Sequence, residues 1–238
     1  MEIVRNRILV IPDVHGRDFW RMAVRRTYCE KIVFLGDYFD PYESEGIDIG
    51  DTCEIFCEVL DLKKENPEKV VLLLGNHDMH YLSNQFRKLA CGSRYDNDFA
   101  QMNACMLIGH KKYFQLAHEE MVGGKRYLFT HAGVTSSWYE RHQGLIKELT
   151  ATNLNELMET KEGVEALADV GKLRGGYQPS GSMLWADCEE MHDSVPFPDV
   201  YQIFGHSQQK SEPVITEHYA CLDCRKAFLL DEKGLKTM

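Results

Sequence analysis

Residues 7–16 read Arg7-Ile8-Leu9-Val10-Ile11-Pro12-Asp13-Val14-His15-Gly16. An apolar run ends on a proline, and an acid, an imidazole and a glycine follow at once. Four later stretches repeat the plan. Lys31-Ile32-Val33-Phe34-Leu35 leads to Gly36-Asp37-Tyr38-Phe39-Asp40, and Lys69-Val70-Val71-Leu72-Leu73-Leu74 leads to Gly75-Asn76-His77-Asp78. Arg126-Tyr127-Leu128-Phe129 precedes Thr130-His131-Ala132-Gly133, and Tyr201-Gln202-Ile203-Phe204 precedes Gly205-His206. Each run is short, rich in β-branched or aromatic types and bounded by Gly, Pro or polar residues, which predicts buried strands.

Between the first three runs the pattern is helical. Residues 19–28 have suitable spacing. Residues 51–64 open on Asp51-x-x-Glu54, a capping-box pattern, and carry Ile55, Val59 and Leu62 at helical intervals. Strand and helix alternating in this way predict an α/β layered domain. Residues 80–120 read as helical with few strand signals. Residues 136–195 also read as helical, with starts at Ser137-x-x-Glu140 and Asn153-x-x-Glu156, before loosening into Gly175-Gly176-Tyr177-Gln178-Pro179-Ser180-Gly181. Both segments read as insertions lying over the sheet of a single domain spanning residues 1–238. Short strands, expected to be antiparallel, return at 212–216, 219–222 and 227–231, with 232–238 as a tail.

Composition narrows the function. The chain has 238 residues, 44% of them hydrophobic and 27% charged, so it can bury a full core without disulfide staples despite its eight cysteines. No leader or apolar run of membrane-spanning length is evident, so the expectation is a cytoplasmic protein with reduced thiols and no membrane partner. The formal charge of −10 argues against broad binding to nucleic acid or anionic lipid. The lone Cys221-Leu222-Asp223-Cys224 lacks the second pair that a zinc ribbon needs, and reads as reduced thiols in a strand and turn.

In an open α/β sheet, ligands bind beyond the carboxyl ends of the strands. Five successive strand ends carrying Asp, Asn or His therefore point to one converging metal site, where a single such residue would mean little. Imidazole, carboxylate and amide donors together suit Mn, Fe, Zn, Ni or Co better than Ca, and Mn is favoured. Bound metal could make a small positive pocket even on an acidic protein.

The pieces Asp-x-His-Gly, Gly-Asp-x-x-Asp, Gly-Asn-His-Asp, His-Ala-Gly and Gly-His, in this order, resemble the calcineurin-like metallophosphoesterase superfamily. Within it they resemble the branch of phosphoprotein phosphatases and bacterial symmetrical diadenosine tetraphosphatases. The resemblance implies a β-sandwich flanked by helices. It also implies a two-metal site that hydrolyses a phosphate ester with a metal-bridging hydroxide. Asp13, His15 and Asp37 would hold one ion, and Asp37 would bridge to a second held by Asn76, His131 and His206. His77 would be the general acid and Asp40 would orient it. Asp223 resembles the family's late supporting Asp in position and reads equally as a turn residue, and Asp78 reads as a support for a ligand or as a helix cap.

The sequence also departs from the branch. Ser207 and Gln208 stand where the wider superfamily has a second His. Pro41 and Leu74 occupy positions where phosphoprotein phosphatases carry Arg, and Asp78 replaces their Glu. Arg94 and Arg174, with Arg141 behind them, are the candidate phosphate ligands. Leu184-Trp185-Ala186-Asp187 is similar to a segment near the branch's pocket, although a buried Trp explains it as well. The expected substrate is a phosphorylated small molecule, a nucleotide or a phosphoprotein. Phosphomonoester hydrolysis is preferred over cleavage of a dinucleoside polyphosphate. A catalytically weak partner-binding module is the alternative of another class.

Overall fold

The computed structural model describes residues 6–90 and 94–238. Eleven strands are present among them: β1 (Ile8–Ile11), β2 (Lys31–Phe34), β3 (Val70–Leu73), β4 (Phe114–Gln115), β5 (Ala117–Val122), β6 (Lys125–Thr130), β7 (Tyr201–Phe204), β8 (Val214–Ile215), β9 (Tyr219–Cys221), β10 (Phe228–Asp231) and β11 (Gly234–Thr237). They form two sheets, ordered β11-β10-β1-β2-β3-β4 and β5-β6-β7-β9-β8. Strands β1 to β4 run parallel, as do β6, β7 and β9. Helices α1 (Trp20–Arg26) and α2 (Ile49–Glu65) lie between the first three strands in the chain, and α3 (Asn76–Leu82) starts just beyond β3.

Period-two side-chain direction builds the layers. Ile8, Val10, Val33, Leu35, Val71 and Leu73 turn toward Phe129, Ile203, Ala220 and Leu222 of the other sheet and make the sandwich interior. Leu9, Ile11, Ile32, Phe34, Val70 and Leu72 turn outward onto Trp20, Ile55, Phe56 and Val59 of the helices. Near-continuous apolar runs are what strands covered on both faces require.

Several expectations need correction. The caps lie upstream of the expected starts: Asp48 accepts from the Asp51 N–H at α2, Thr135 from Trp138 at α6 (Ser136–Arg141), and Thr150 from Asn153 at α8 (Ala151–Glu156). A cap side chain bonds the N–H of the third helical residue, so the polar residue preceding each S/N/D-x-x-E pattern does the work. The segment 80–120 carries α4 (Asn84–Leu89) and α5 (Ala100–Gly109) as expected, but also β4 and the start of β5. Strand β5 is an edge strand reading Ala-His-Glu-Glu-Met-Val, so it lacks an apolar signature. Residues 232–238 are not a tail, because Gly234–Thr237 pairs antiparallel with β10. Strands β8 and β10 pair antiparallel with β9 and β1, but β9 itself runs parallel to β7.

Helices α7 (Gln143–Ile146), α9 (Lys161–Leu167) and α10 (Cys188–His192) complete the second helical segment. Seven cysteines are free thiols, and Cys91 lies outside the described residues. Among the described residues, no helix is long and apolar enough to cross a membrane.

Phe34 is fully buried and meets Trp20 edge-on, with ring centroids 5.4 Å apart. Phe34→Ala should lower stability by about 3–5 kcal/mol. Urea unfolding should show an earlier midpoint at unchanged slope, and a loss under about 1 kcal/mol would contradict this packing.

Candidate metal centre

The parallel strands end at a common crevice, and the chain turns sharply there. His15, Asp37, Asp40 and His206 all have left-handed backbones, with φ of 44°, 54°, 58° and 62°. Such residues cost on the order of 1–3 kcal/mol each and persist only where the surroundings hold them. Here the β1 and β2 loops bind each other: the His15 N–H donates to the Asp37 carbonyl at 2.7 Å and the Gly16 N–H to Tyr38 at 3.1 Å. The fully buried Asp78 then ties the β2 loop to the β3 loop. Its carboxylate accepts from the N–H groups of Asp37 and Gly75, both at 2.8 Å, and of Tyr38 at 3.0 Å. Asp78 thus caps α3 and also fixes the backbone of Asp37.

Two glycines are required by close approach. A Cβ on Gly75 would lie 2.0 Å from Asp37 Oδ1, and a Cβ on Gly205 would lie 2.0 Å from Asp13 Oδ2. The carboxylates occupy the space a side chain would take.

Backbone carbonyls orient the imidazoles. His15 Nδ1 lies 2.6 Å from the Phe39 carbonyl and His131 Nδ1 2.9 Å from that of Leu35. An imidazole N–H donating to a carbonyl leaves Nε2 with its lone pair free. His15 Nε2 then sits 3.5 Å from Asp37 Oδ2, and His131 Nε2 sits 3.4 Å from the same oxygen. His131 Nε2 is also 2.9 Å from Asn76 Oδ1 and 3.1 Å from His206 Nδ1. With both imidazoles in this tautomer, lone-pair atoms face one another around Asp37, an arrangement that a cation relieves.

Two groups can hold a metal ion. His15, Asp37 and His77 form one, and Asp37, His131 and His206 the other, with the ligand atoms of each within 4.8 Å of one another. Asp37 belongs to both. Asp13 is in neither three-residue group; its carboxylate accepts the His206 N–H at 3.0 Å from either oxygen.

Electrostatics agree with the donor set. Burial holds His15 and His206 well below the usual imidazole range, aided by His77 and Arg17 at the first and by Arg174 and His131 at the second. Both are therefore neutral and able to donate a lone pair. Burial raises the Asp37 carboxyl well above its ordinary range, and it raises Asp223 likewise, with Asp13 adding to the effect. Asp78 is pushed up to about 7 by burial, against the pull of its backbone donors. Buried carboxylates gathered in this way need cations, and Asp223 Oδ1 and His206 Nε2 are buried with no hydrogen-bond partner among the described residues. The residues present fit a pair of divalent ions.

His77, a member of the first group, has a second partner in Asp40. Its Nδ1 is 2.7 Å from Asp40 Oδ2, and its N–H donates to Asp37 Oδ1 at 3.0 Å. Two groups hold Asp40: the Tyr81 hydroxyl donates to its carboxylate, and Arg94 donates to its carbonyl at 3.0 and 3.2 Å. Arg174 lies on the opposite flank, 2.7 Å from Asp187 Oδ2, and donates to Ser207 Oγ at 2.7 Å. Arg141 is engaged elsewhere, with Asp169 and Ser180. Trp185 is buried and packs edge-on to His206, with centroids 5.8 Å apart, so it is both core and site wall.

Sequence reasoning missed Tyr81 and Arg17. The buried Arg17 donates to the Asp13 carbonyl at 3.3 Å and pairs with Glu45. Its place directly after Asp-x-His-Gly was the available signal.

A family model described as calcineurin-like phosphoesterase matches residues 6–210. A search of curated proteins gives no match. Among solved structures, the chain is similar to a protein serine/threonine phosphatase from Saccharomyces cerevisiae with similarity to human phosphatase PP5. The TM-score is 0.56 at 13% identity, over 98% of this chain and 79% of that one. A metallophosphoesterase from Sphaerobacter thermophilus aligns with a TM-score of 0.42 at 11% identity, over 98% of this chain and 88% of that one.

Two outcomes follow for Mn²⁺ binding. Asp37→Asn should deplete both ions, because this carboxylate faces both groups; elemental analysis finding two ions per chain would refute the shared role. Affinity should rise with pH, because a carboxyl held above its ordinary range must release its proton before it can ligate. Calorimetry in buffers of different ionisation enthalpy should record protons released on binding, and affinity independent of pH would contradict the assignment.

Proposed function

The chain belongs to the calcineurin-like phosphoesterase family, the metal-dependent phosphoester hydrolases, and from that premise we propose that it hydrolyses phosphomonoesters in the Asp37 crevice with His77 as general acid. The observation that carries this reading is the His77–Asp40 pair at 2.7 Å: His77 falls in one group with His15 and Asp37, Asp37 is shared with His131 and His206, and His77 alone of these imidazoles has a carboxylate on its Nδ1, which fits an acid better than a ligand. Asp13, His15 and Asp37 would hold one divalent ion, and Asp37, Asn76, His131 and His206 the other, with Mn²⁺ favoured. When bound, such ions supply a water that ionises near neutral pH and positive charge for phosphoryl oxygens.

The chain's own residues do the rest. Asp40 keeps His77 Nδ1 protonated and turns Nε2 outward, from which a proton passes to the departing alkoxide. Tyr81 and Arg94 hold Asp40 in register for that transfer. Arg94 and Arg174, on opposite flanks, bind phosphoryl oxygens, taking the part of the arginines absent at positions 41 and 74. Asp78 fixes the backbone of Asp37, and Asp223, whose ionisation Asp13 opposes, adds a further carboxyl at the edge of the site. The whole chain acts as one domain. Its first helical segment brings Arg94 to the crevice and its second brings Arg174 and Trp185, so these two insertions shape the pocket.

With Mn²⁺ added, p-nitrophenyl phosphate should release phosphate. His77→Ala should retain its metal yet slow alkyl phosphates by roughly 10²–10⁴ and the p-nitrophenyl ester far less, since a good leaving group needs little protonation. Folded, metal-loaded protein inactive with Mn, Fe, Zn, Ni and Co would favour a binding module. Equal slowing of both ester types would remove His77 from proton transfer.

A further inference from the structure

The motif Cys221-Leu222-Asp223-Cys224 pairs two thiols in sequence only. Cys221 ends β9 and packs with Met191, Phe204 and Tyr219, whereas Cys224 packs into the sandwich interior. The thiol that meets Cys221 comes from elsewhere in the chain. Cys188, the first residue of α10, lies against the same cluster as Cys221. The two side chains are hydrogen-bonded to each other, and this contact holds the Cys188 thiol below its ordinary range and pushes that of Cys221 well above. Cys188 is half-buried and within reach of a small oxidant, while Cys221 is fully buried.

Both cysteines also hold the loop that follows β7. The Cys188 N–H donates to Ser207 Oγ at 2.9 Å. The Cys221 thiol donates to the carbonyls of Ser207 at 3.4 Å and Gly205 at 3.5 Å. His206 stands between those two carbonyls in its left-handed backbone, and Arg174 donates to the same Ser207 Oγ. Gly205 in turn lies against the Asp13 carboxylate. Whatever draws the two sulfurs together therefore moves His206 and the anchor of Arg174 with them.

We infer that Cys188 and Cys221 are a redox pair: a hydroperoxide converts them to a disulfide that displaces the His206 loop and weakens the metal centre. The Cys188 sulfur attacks the peroxide and breaks its O–O bond, giving a sulfenic acid, and the thiol proton leaves on the other oxygen as water or an alcohol. The Cys221 sulfur then displaces the sulfenic hydroxyl, which departs with the Cys221 proton as water. The thiols lose two electrons and the peroxide gains them; a dithiol reverses the change. An S–S bond of about 2.0 Å is far shorter than any contact between thiols, and its formation removes the S–H that bonds the Gly205 and Ser207 carbonyls. That the switch governs phosphomonoester hydrolysis rests on the reading above; formation of the disulfide and retention of metal do not.

The test treats the full, Mn²⁺-loaded chain with hydrogen peroxide and then removes the oxidant with catalase. Three quantities are read: the disulfide map by peptide mass spectrometry, Mn²⁺ per chain after desalting, and turnover of p-nitrophenyl phosphate. The expected result is a Cys188–Cys221 link, lowered Mn²⁺ retention, and turnover reduced by roughly 10²-fold, the usual cost of about 1 Å of misplacement at a reacting centre. Dithiothreitol should restore all three. Cys188→Ser and, separately, Cys221→Ala should keep Mn²⁺ and turnover through the same treatment, which sets the pair apart from oxidation of other thiols, of methionines or of the ion. A Cys221–Cys224 link, no link at Cys188, equal losses in both variants, or a Cys188–Cys221 link that leaves Mn²⁺ retention and turnover unchanged overturns the inference. Reduced protein that fails to hydrolyse p-nitrophenyl phosphate overturns the phosphomonoesterase reading instead, and the link and Mn²⁺ retention still decide the switch.

Discussion

The carboxylate of Asp37 is the point on which the crevice is built. It lies at the end of β2 in a left-handed backbone conformation, buried, and one of its oxygens stands within 3.5 Å of both His15 and His131. Left to itself this placement is unfavourable twice over, in backbone strain and in lost hydration. The surrounding residues answer both costs. Asp78 holds the Asp37 N–H, the His77 N–H reaches Asp37 Oδ1, and the bare α-carbon of Gly75 leaves room for that oxygen. A structure that spends this much on seating one anion has a positive ligand for it.

The neighbouring imidazoles make the same case from the other direction. Burial keeps His15 and His206 neutral while it resists ionisation of Asp37 and Asp223. Lone pairs and carboxyls are thus gathered where an arriving cation takes the place of the acid protons. In an acidic protein with a formal charge of −10, this is how a phosphate ester can be welcomed at one point and repelled elsewhere.

Much of this was legible in the sequence because strand and ligand are written side by side. Apolar runs such as Ile8–Ile11 and Val70–Leu73 are buried on both faces, so their composition alone marks them, and the polar residues just beyond them fall at one end of a parallel sheet. What escaped notice was written in weaker terms. Strand β5 is a polar edge strand whose best sign was the Gly123-Gly124 turn joining it to β6. Helix starts were displaced because several polar residues competed for each cap. Nothing in the local sequence sets Tyr81 apart from the other aromatics, and only the fold brings its hydroxyl to Asp40. Asp13 is expected among the ligands, and its carboxylate accepts the N–H of His206, a residue 193 positions away that only folding brings beside it.

The placement of β1 has a bearing on how the molecule comes into being. This strand lies in the interior of its sheet, with β2 on one flank and β10 on the other, so its second partner is Phe228–Asp231. During synthesis, one row of its amide and carbonyl groups waits until residues 228–231 have left the ribosome. Until then an apolar strand edge is open to any other extended chain. Closure of the first sheet thus joins segments about two hundred residues apart, a long-range pairing of the kind that folds slowly.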